Sequence, residues 1–156
     1  MKKKLWIVAA ISAIVDIISK QLVLKFLKGS SIKLIPGLFS LTYTENAGAA
    51  FSILEGKKIM LVVVAVLVIA YLIYITKKKE LNNLQTIGYA IFIGGVFGNL
   101  IDRLCYGYVI DFLHFYVNGN SFPIFNFADM FIVIGVGLLA LDTIKGDKNE
   151  NSSRKK

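Results

Sequence analysis

Two aspartates in apolar stretches are the residues of this sequence best suited to chemistry. Asp102, Asp111 and Asp129 fall within 28 residues, and the last two each have an apolar residue on either side. Apolar surroundings raise the pKa of a carboxyl group, and a second carboxylate nearby raises one of the two further. Such a pair can share one proton near neutral pH, so that one member activates water while the other polarises a carbonyl group. The pattern is typical of aspartic protease chemistry.

Asp102 differs from the other two aspartates because a cation, Arg103, follows it directly. This neighbour indicates a fixed structural charge rather than a proton donor. Asn99 stands three residues before Asp102 and four before Arg103, so a helix would place all three on one face. Asn126 and Asp129 have the same spacing of three. A lone aspartate such as Asp129 can simply cap the start of a helix, but three acids together, two of them with an asparagine at helical spacing, favour a site.

Histidine and cysteine chemistry has little support in this chain. His114 and Cys105 are the single histidine and the single cysteine. A histidine in a run of aromatic residues without a nearby cysteine makes a poor metal site, so we expect it to have a packing role. One cysteine allows no intrachain disulfide. The sequence also has no zinc-protease, serine-hydrolase or phosphate-loop motif, and it predicts neither a metal nor a cofactor.

The elements that must position the aspartates are predicted to be membrane-spanning helices. The chain is 56% hydrophobic and 18% charged, whereas a typical soluble domain is about 45–50% apolar and about a quarter charged. Uncharged windows cover residues 59–76 and 81–101, and about 20 apolar residues cross a bilayer core of about 30 Å. Residues 5–26 and 126–144 are weaker spans. The sequence therefore predicts four transmembrane helices.

Lysine and arginine residues are distributed unevenly around the four spans. Eleven of them fall in residues 2–4, 77–79 and 145–156, segments that share one side of the membrane if there are four spans. The rule that cytoplasmic loops are positive then places both termini in the cytoplasm and the aspartates at the extracytoplasmic face. This arrangement explains the net charge of +8, so the sequence does not predict a nucleic-acid partner.

The two extracytoplasmic segments have the pattern of strands. Residues 39–44 alternate apolar and polar side chains, and residues 109–117 are rich in β-branched and aromatic residues. We therefore predict a mainly α membrane protein with four transmembrane helices and a small extracytoplasmic β-sheet. Residues 1–145 form the predicted integral membrane domain, and the polar residues 146–156 form a predicted disordered cytoplasmic tail.

Five motifs resemble, in order and spacing, those of the bacterial lipoprotein signal peptidases, the type II signal peptidase family. They are Asp16-Ile17-Ile18-Ser19-Lys20, Asn46-Ala47-Gly48-Ala49-Ala50-Phe51, Gly98-Asn99-Leu100-Ile101-Asp102-Arg103, Val109-Ile110-Asp111-Phe112 and Phe122-Pro123-Ile124-Phe125-Asn126-Phe127-Ala128-Asp129. The resemblance covers residues 4–144. Two positions depart from the family pattern: Ile17 stands where Gln is frequent, and Met130 stands where a small polar residue is frequent. Neither is a catalytic position of the family.

The resemblance implies a membrane aspartyl endopeptidase of the bacterial cytoplasmic membrane. It would remove the signal peptide from prolipoproteins by cutting before the diacylglyceryl-modified cysteine, without a cofactor. Its partners would be these substrates and membrane lipid, and the protein is expected to be a monomer. The family's catalytic pair falls on Asp111 and Asp129, and its extracytoplasmic cradle falls on the strand-like segments. The family positions that support the pair fall on Asp16, Asn46, Asn99, Asp102, Arg103, Asn126 and Ala128.

Two other functions could use the same acidic residues. A small ion- or proton-conducting subunit would relay protons through intramembrane carboxylates, but a relay needs charges throughout the membrane depth and here only Asp16 lies deep. Asp16 and Lys20 are four apart, the spacing of an ion pair that lets a charged helix insert. A structural subunit, whose partner would shield the acids, leaves Asn46, Asn99 and Asn126 without a role.

Overall fold

The computed structural model describes residues 2–48 and 56–153. These residues form, in chain order, α1 (Lys2–Leu27), β1 (Ser31–Ile35), β2 (Phe39–Asn46), α2 (Lys58–Lys78), α3 (Asn83–Cys105), β3 (Val109–Val117), β4 (Asn120–Ser121) and α4 (Phe127–Ser153). Each helix contains an apolar stretch long enough to cross a membrane, which in α4 is Phe127–Lys145. The four spans and the small sheet confirm the predicted fold class.

The outer surface of the helices is apolar. On α1, Ile7, Ile11, Ile14 and Ile18 are each more than half exposed. They recur every three or four residues, in step with the helical repeat of 3.6 residues, so they form one stripe along the helix. A long helix that is apolar on its outward face as well as its inward face is typical of a membrane span. The chain is therefore a multi-pass membrane protein.

Helix α3 is the centre of the bundle, and α1, α2 and α4 each pack against it. Glycine allows close approach on two sides of α3. A Cβ atom at Gly94 would lie 2.6 Å from the carbonyl oxygen of Ala9 in α1, and one at Gly95 would lie 2.5 Å from the carbonyl oxygen of Ala128 in α4. Both distances are too short for real contacts, so a larger residue at either position would push a neighbouring helix away.

The described strands form an antiparallel sheet in the order β1-β2-β3-β4. The sheet rests on the end of α1, where Ile110 of β3 packs with Val23 and Leu27. The pairing of β2 with β3 places Thr44 opposite Asp111. We call the end of the bundle next to this sheet, where α1 and α3 end and where α2 and α4 begin, the sheet end. The other end of the bundle is called the opposite end.

Helix α4 continues to Ser153, past the end of its membrane-length stretch at Lys145. Residues 146–153, which the sequence assigns to the predicted tail, continue this helix in the structure. No proline follows Gly146 in the sequence, and an existing helix adds residues easily once it has formed. The division of the chain into a domain of residues 1–145 and a separate tail stays a prediction.

Candidate active site

Asp111 lies in β3, where the sheet covers the end of the helix bundle, and it is 3% exposed. Two side-chain amides hold its carboxylate. Nδ2 of Asn46 donates to Oδ2 at 2.9 Å, and Nδ2 of Asn126 donates to Oδ1 at 2.6 Å. Asn46 reaches Asp111 because β2 and β3 are antiparallel neighbours. Strand pairing therefore joins two residues that lie far apart in the sequence.

Asp129 lies in the first turn of α4, and a reciprocal capping arrangement holds it there. Oδ1 of Asn126 accepts the N–H of Asp129 at 2.9 Å, and Oδ2 of Asp129 accepts the N–H of Asn126 at 3.2 Å. The spacing of three is that of a capping box. Oδ1 of Asp129 accepts a further bond from Nδ2 of Asn99 at 2.8 Å. Asp129 thus belongs to the helix cap and to the polar site at the same time.

Asn126 joins the two aspartates of the predicted catalytic pair. Its side chain is fully buried, and its Nδ2 lies 2.6 Å from Oδ1 of Asp111 and 3.2 Å from Oδ1 of Asn99. Its main-chain N–H and its Oδ1 both bind Asp129. A single asparagine therefore contacts both carboxyl groups, and both groups line the same cavity.

The surroundings of Asp111 favour its protonated form. Burial and, to a smaller extent, the negative charge of Asp129 raise the pKa of Asp111 to about 7. Hydrogen bonds from Asn46 and Asn126 and the positive charge of Lys20 act in the opposite direction. A carboxyl group with a pKa near 7 keeps its proton for a substantial fraction of the time at neutral pH. A protonated carboxyl group beside a second carboxyl group is the arrangement that aspartic proteases use.

Lys20 lies behind the two aspartates in a buried cluster with Asp16 and Asp102. Its Nζ is 2.8 Å from Oδ2 of Asp16 and 3.1 Å from Oδ2 of Asp102, and it donates to Oδ1 of Asn99 at 2.8 Å. Removal of Lys20 would leave two buried acids without a cation, and an uncompensated buried charge of this kind costs about 3–5 kcal/mol. The cluster therefore ties α1 firmly to α3, which a simple pair within one helix would not do.

The two acids of this cluster also hold the main chain next to the predicted catalytic pair. Oδ1 of Asp16 accepts the N–H of Ala128 at 2.8 Å, and Oδ2 of Asp102 accepts the N–H of Ile110 at 3.0 Å. Each donor residue directly precedes one aspartate of the pair in the sequence. Each acid of the cluster therefore fixes the backbone beside one aspartate of the site.

Arg103 is directed towards the site. Its guanidinium group donates to the carbonyl oxygens of Gly48 at 2.8 Å and Asn99 at 3.3 Å, and within the part of the chain that the structure describes it forms no ion pair with Asp102. The N–H of Gly48 in turn donates to Oδ1 of Asn46 at 3.0 Å. Arg103 thereby holds the segment that carries Asn46. The rest of that motif, residues 49–51, lies outside the described residues.

A cavity of about 680 Å³ opens beside the two aspartates. Its polar lining is formed by Asn46, Asn99, Arg103, Asp111 and Asp129. Its apolar lining is formed by residues 122–125, by Ala65 of α2 and by several residues of α3 and α4 that include Val133. Val133 is 70% exposed, so the cavity is open sideways between α2 and α4. This opening lies along the membrane-spanning stretches of both helices.

His114 lies in the sheet, within hydrogen-bonding distance of three hydroxyl groups, one of which is that of Thr42, at 3.3 Å from Nδ1. Its Nε2 is 2.7 Å from Oγ of Ser121, and its Nδ1 is 3.1 Å from the hydroxyl oxygen of Tyr116. Residues 2–48 and 56–153 contain no group of three or more histidine, cysteine, aspartate or glutamate residues arranged to hold a metal ion. The contacts of His114 are those of a side chain that packs within the sheet.

The structure brings all the predicted site residues into one connected network, although their individual roles stay predictions. Sequence reasoning missed Lys20, which it interpreted only as the partner of Asp16. A signal was present, because a lysine inside an apolar span needs buried partners. An ammonium group has three donors, and a single acid four residues away does not use them all. The sequence could therefore have indicated that Lys20 has further partners on another helix.

Comparisons with known proteins identify the family of this chain. A family model described as signal peptidase (SPase) II matches residues 8–145. The lipoprotein signal peptidase of Photorhabdus laumondii is 45% identical over 148 residues, which cover 89% of this chain and 86% of the relative. The one of Actinobacillus succinogenes is 39% identical over 97% of this chain and 99% of the relative. A solved bacterial membrane enzyme is 32% identical with a TM-score of 0.86, over 92% of this chain and 88% of that chain. Because these matches span most of each protein, the chain belongs to the signal peptidase II family.

Proposed function

We propose that this protein removes signal peptides from prolipoproteins as an aspartic endopeptidase, with Asp111 and Asp129 as its catalytic pair. Membership of the signal peptidase II family supports the reaction and the substrate class. One observation carries the catalytic type: the buried Asn126 contacts both carboxyl groups at the edge of an open cavity. Two acids held together in this way can share a proton, and the cavity leaves room beside them for a peptide.

The chemistry requires one protonated and one ionised carboxyl group. The ionised group takes a proton from a water molecule whose oxygen attacks the peptide carbonyl carbon, and the protonated group gives its proton to the carbonyl oxygen. When the tetrahedral intermediate collapses, the C–N bond breaks. The leaving nitrogen receives the proton held by the first group, and the second group recovers its own proton from the hydroxyl. The pair has then returned to its starting state.

The shape of the cavity supports a substrate that carries lipid. Its apolar wall runs from Ala65 of α2 to Val133 of α4, along the membrane-spanning part of both helices. Acyl chains can occupy this sideways opening while the peptide reaches the two aspartates. Each CH₂ group buried in the bilayer contributes about 0.8 kcal/mol, so a diacylglyceryl group anchors the precursor in the membrane, where the sideways opening lies.

The sheet end is proposed to face the outside of the cytoplasmic membrane. Residues 2–4 lie at the start of α1, and residues 77–79 lie at the end of α2, so both lysine clusters belong to the opposite end. The positive-inside rule supports a cytoplasmic position for that end and for both termini. A reporter that is active only in the cytoplasm should be active when it is fused after Lys79. A reporter that is active only outside the cytoplasmic membrane should be active when it is inserted at Asn118. The reverse result at either position would overturn this orientation.

A proton-conducting role has no support in the distribution of charge. Residues 5–15, 59–76, 83–101 and 130–141 contain no aspartate, glutamate, lysine or arginine. A relay of intramembrane carboxylates would have to cross these stretches. The acids are instead concentrated at the sheet end, where Lys20 partly balances them.

The proposed function is tested by incubating the purified protein with a diacylglyceryl-modified prolipoprotein. We expect release of the signal peptide from this precursor, and little or no release from the same precursor without its lipid. The matched pair of precursors differs only in the acyl groups, so any difference measures lipid recognition. Equal turnover of the two precursors would contradict lipid recognition, and no cleavage of either would contradict the proposed function.

A further inference from the structure

Lys20 has more partners than an ion pair within one helix requires. Its ammonium group has three N–H donors and lies 2.8 Å from Asp16, 3.1 Å from Asp102 and 2.8 Å from Oδ1 of Asn99. The ammonium group thus contacts two carboxylates and one amide oxygen, and the side chain has no exposed surface. Two acids already balance the charge of Lys20, so its contact with Asn99 needs a separate explanation.

The contact with Lys20 fixes the direction of the Asn99 amide. An ammonium group only donates, so the amide oxygen must face it. Nδ2 of Asn99 then faces Oδ1 of Asp129, at 2.8 Å. Asp129 can only accept in this contact, and its Oδ2 accepts a second bond from the N–H of Asn126 at 3.2 Å. Both oxygens of Asp129 therefore act as acceptors. Both oxygens of Asp111 accept as well, from Asn46 and Asn126, so the difference between the two acids must come from their positions in the fold.

The positions of the two aspartates make them unequal. Asp129 lies in the first turn of α4, where the helix dipole favours a negative charge. Asp111 lies in a strand, where it has no such dipole, and burial is the main cause that raises its pKa to about 7. Burial therefore favours a proton on Asp111, whereas the start of α4 favours a negative charge beside it.

Lys20 also connects the two parts of the backbone that carry these aspartates. Its partner Asp16 holds the N–H of Ala128, and its partner Asp102 holds the N–H of Ile110. Displacement of the Lys20 ammonium group would therefore be transmitted to both sides of the site as well as to Asn99.

We propose that Lys20 is a positioning residue for the proteolytic reaction: through Asn99 it makes Asp129 the general base and leaves the shared proton on Asp111. The proposal rests on the aspartic mechanism proposed above. Asp129 takes a proton from the attacking water, and Asp111 gives its proton to the carbonyl oxygen as the new C–O bond forms. When the C–N bond breaks, Asp129 passes its proton to the leaving nitrogen, and Asp111 recovers one from the hydroxyl.

Several charged groups besides Lys20 bear on the pH dependence of the pair. Asp16 of α1 and Asp102 of α3 face Lys20. Arg103 of α3 faces both aspartates of the pair. Asp111 of β3 and Asp129 of α4 face each other. If Lys20 alone were replaced by a neutral residue, Asp16 and Asp102 would be left as buried acids without a cation. A useful test must therefore neutralise one of these acids together with Lys20.

The test uses the double variant Lys20→Met/Asp16→Asn. We expect this variant to fold, to keep the KM of the wild type and to have a kcat that is lower by on the order of 10²-fold. The acid limb of its kcat–pH profile should move to higher pH, because Asn99 is no longer held with its N–H towards Asp129. The single variant Lys20→Arg keeps the charge and the N–H donors. Its kcat should therefore lie between those of the double variant and the wild type, and the acid limb of its kcat–pH profile should lie at the same pH as in the wild type. Lys25→Met, at an exposed position of the same helix, is the matched control and should behave like the wild type.

A folded double variant with the kcat and the pH profile of the wild type would overturn the proposal and leave Lys20 as an ion-pair partner only. A second variant, Asn99→Asp, does not depend on folding without Lys20, because it gives the ammonium group another carboxylate. It removes the N–H that faces Asp129, so we expect it to be active only at low pH, where residue 99 can donate again. Wild-type activity of Asn99→Asp at neutral pH would equally overturn the proposal.

The variants Asp111→Asn and Asp129→Asn separate the two levels of inference. If either of them cleaves normally, the proposed aspartic function fails. If both are inactive while the Lys20 and Asn99 variants behave like the wild type, only the role of Lys20 fails.

Discussion

The two ends of the helix bundle both bind an aspartate through side-chain amides, but in different surroundings. At the opposite end, Asn82 and Gln85 each donate to Asp142 at 2.7 Å. Asn82 also caps α3 through a capping box with Gln85, in the way that Asn126 caps α4. Asp142 is half-buried and Asn82 is exposed. At the sheet end, amide–carboxylate bonds of similar length are buried or partly buried, and they hold two acids, of which Asp111 is buried, beside a cavity.

The difference between the ends indicates which features identify an active site. Hydrogen-bond lengths and capping geometry are nearly the same at both ends, so they reflect the way these residue types start a helix. Burial, a second acid and an open cavity are found together only at the sheet end of the described residues. These features are the ones that change proton affinity and admit a substrate. Asp142 therefore provides an internal control for Asp111 and Asp129.

The largest expected difference between the two ends is catalytic. Asp111→Asn and Asp129→Asn keep the size of the side chain but remove the shared proton or the general base, so each should lower turnover by at least about 10²–10⁴-fold. The double variant should be little worse than either single variant, because the two residues act as a unit. Asp142→Asn removes the same charge at the opposite end of the bundle and should leave turnover unchanged. The initial rate of cleavage is measured for the four variants and compared with that of the wild type. Near-normal cleavage by Asp111→Asn or Asp129→Asn would exclude that residue as catalytic.

The next difference concerns stability. Asp102→Asn removes a buried carboxylate that contacts Lys20 and accepts the N–H of Ile110, and it should cost about 1–3 kcal/mol of unfolding free energy together with a loss of activity. Asp142→Asn changes an exposed contact and should cost about 0–1 kcal/mol. Thermal unfolding of the two purified variants beside the wild type gives the comparison. An Asp102→Asn protein that is inactive but fully stable would mean that Asp102 acts in catalysis rather than in holding the fold.

A smaller difference should appear in the pH dependence of stability. The pKa of Asp111 rises from 3.8 to about 7 on folding, so the folded protein binds this proton more tightly than the unfolded chain does. The resulting stabilisation is fully present below the unfolded pKa and is lost as the pH rises through the folded pKa. Between about pH 4 and pH 7, the Tm of Asp111→Asn should therefore fall less steeply than that of the wild type. The Asp142→Asn control should show the same slope of Tm against pH as the wild type. Equal slopes in all three proteins would mean that a group other than Asp111 causes the pH dependence.

The smallest expected effect is that of metal removal. The aspartic chemistry proposed for the sheet end needs no metal, and the described residues offer no cluster of ligands for one. Cleavage of the lipid-modified precursor should therefore continue at its normal rate after treatment with EDTA. Complete loss of activity that added zinc restores would exclude the aspartic mechanism.

The helices and the acids could be predicted because each depends on local sequence. The uncharged window at residues 59–76 corresponds to α2, and the window at residues 81–101 corresponds to α3. Composition alone defines such spans, since about 20 apolar residues cross the bilayer. The spacing of Asn126 and Asp129 likewise placed them on one face, and in the structure they bind each other.

Contacts between distant segments could not be predicted from spacing. Asn46 binds Asp111 because β2 pairs with β3 in a register that shifts between Leu41 and Thr44. A shift of this kind changes which side chains share a face of the sheet, and the alternation of apolar and polar residues does not locate it. Only the family resemblance pointed to Asn46.

The partners of Lys20 illustrate the same limit between helices. The spacing of four identified Asp16, which lies on the same helix. Asp102 and Asn99 reach Lys20 from α3, and that contact depends on how deeply α1 packs against Gly94 and the residues around it. Packing depth is a property of two surfaces together, so neither helix sequence determines it alone.

The sideways opening of the cavity has a kinetic consequence under the proposed function. A lipid-anchored precursor reaches the opening by diffusion within one leaflet, so the encounter rate depends on the number of precursors per unit of membrane area. Addition of inert phospholipid, at constant amounts of enzyme and precursor, lowers that surface density and slows cleavage, whereas addition of buffer to the same membranes does not. The Michaelis constant of the enzyme is then a mole fraction in the bilayer rather than a molar concentration.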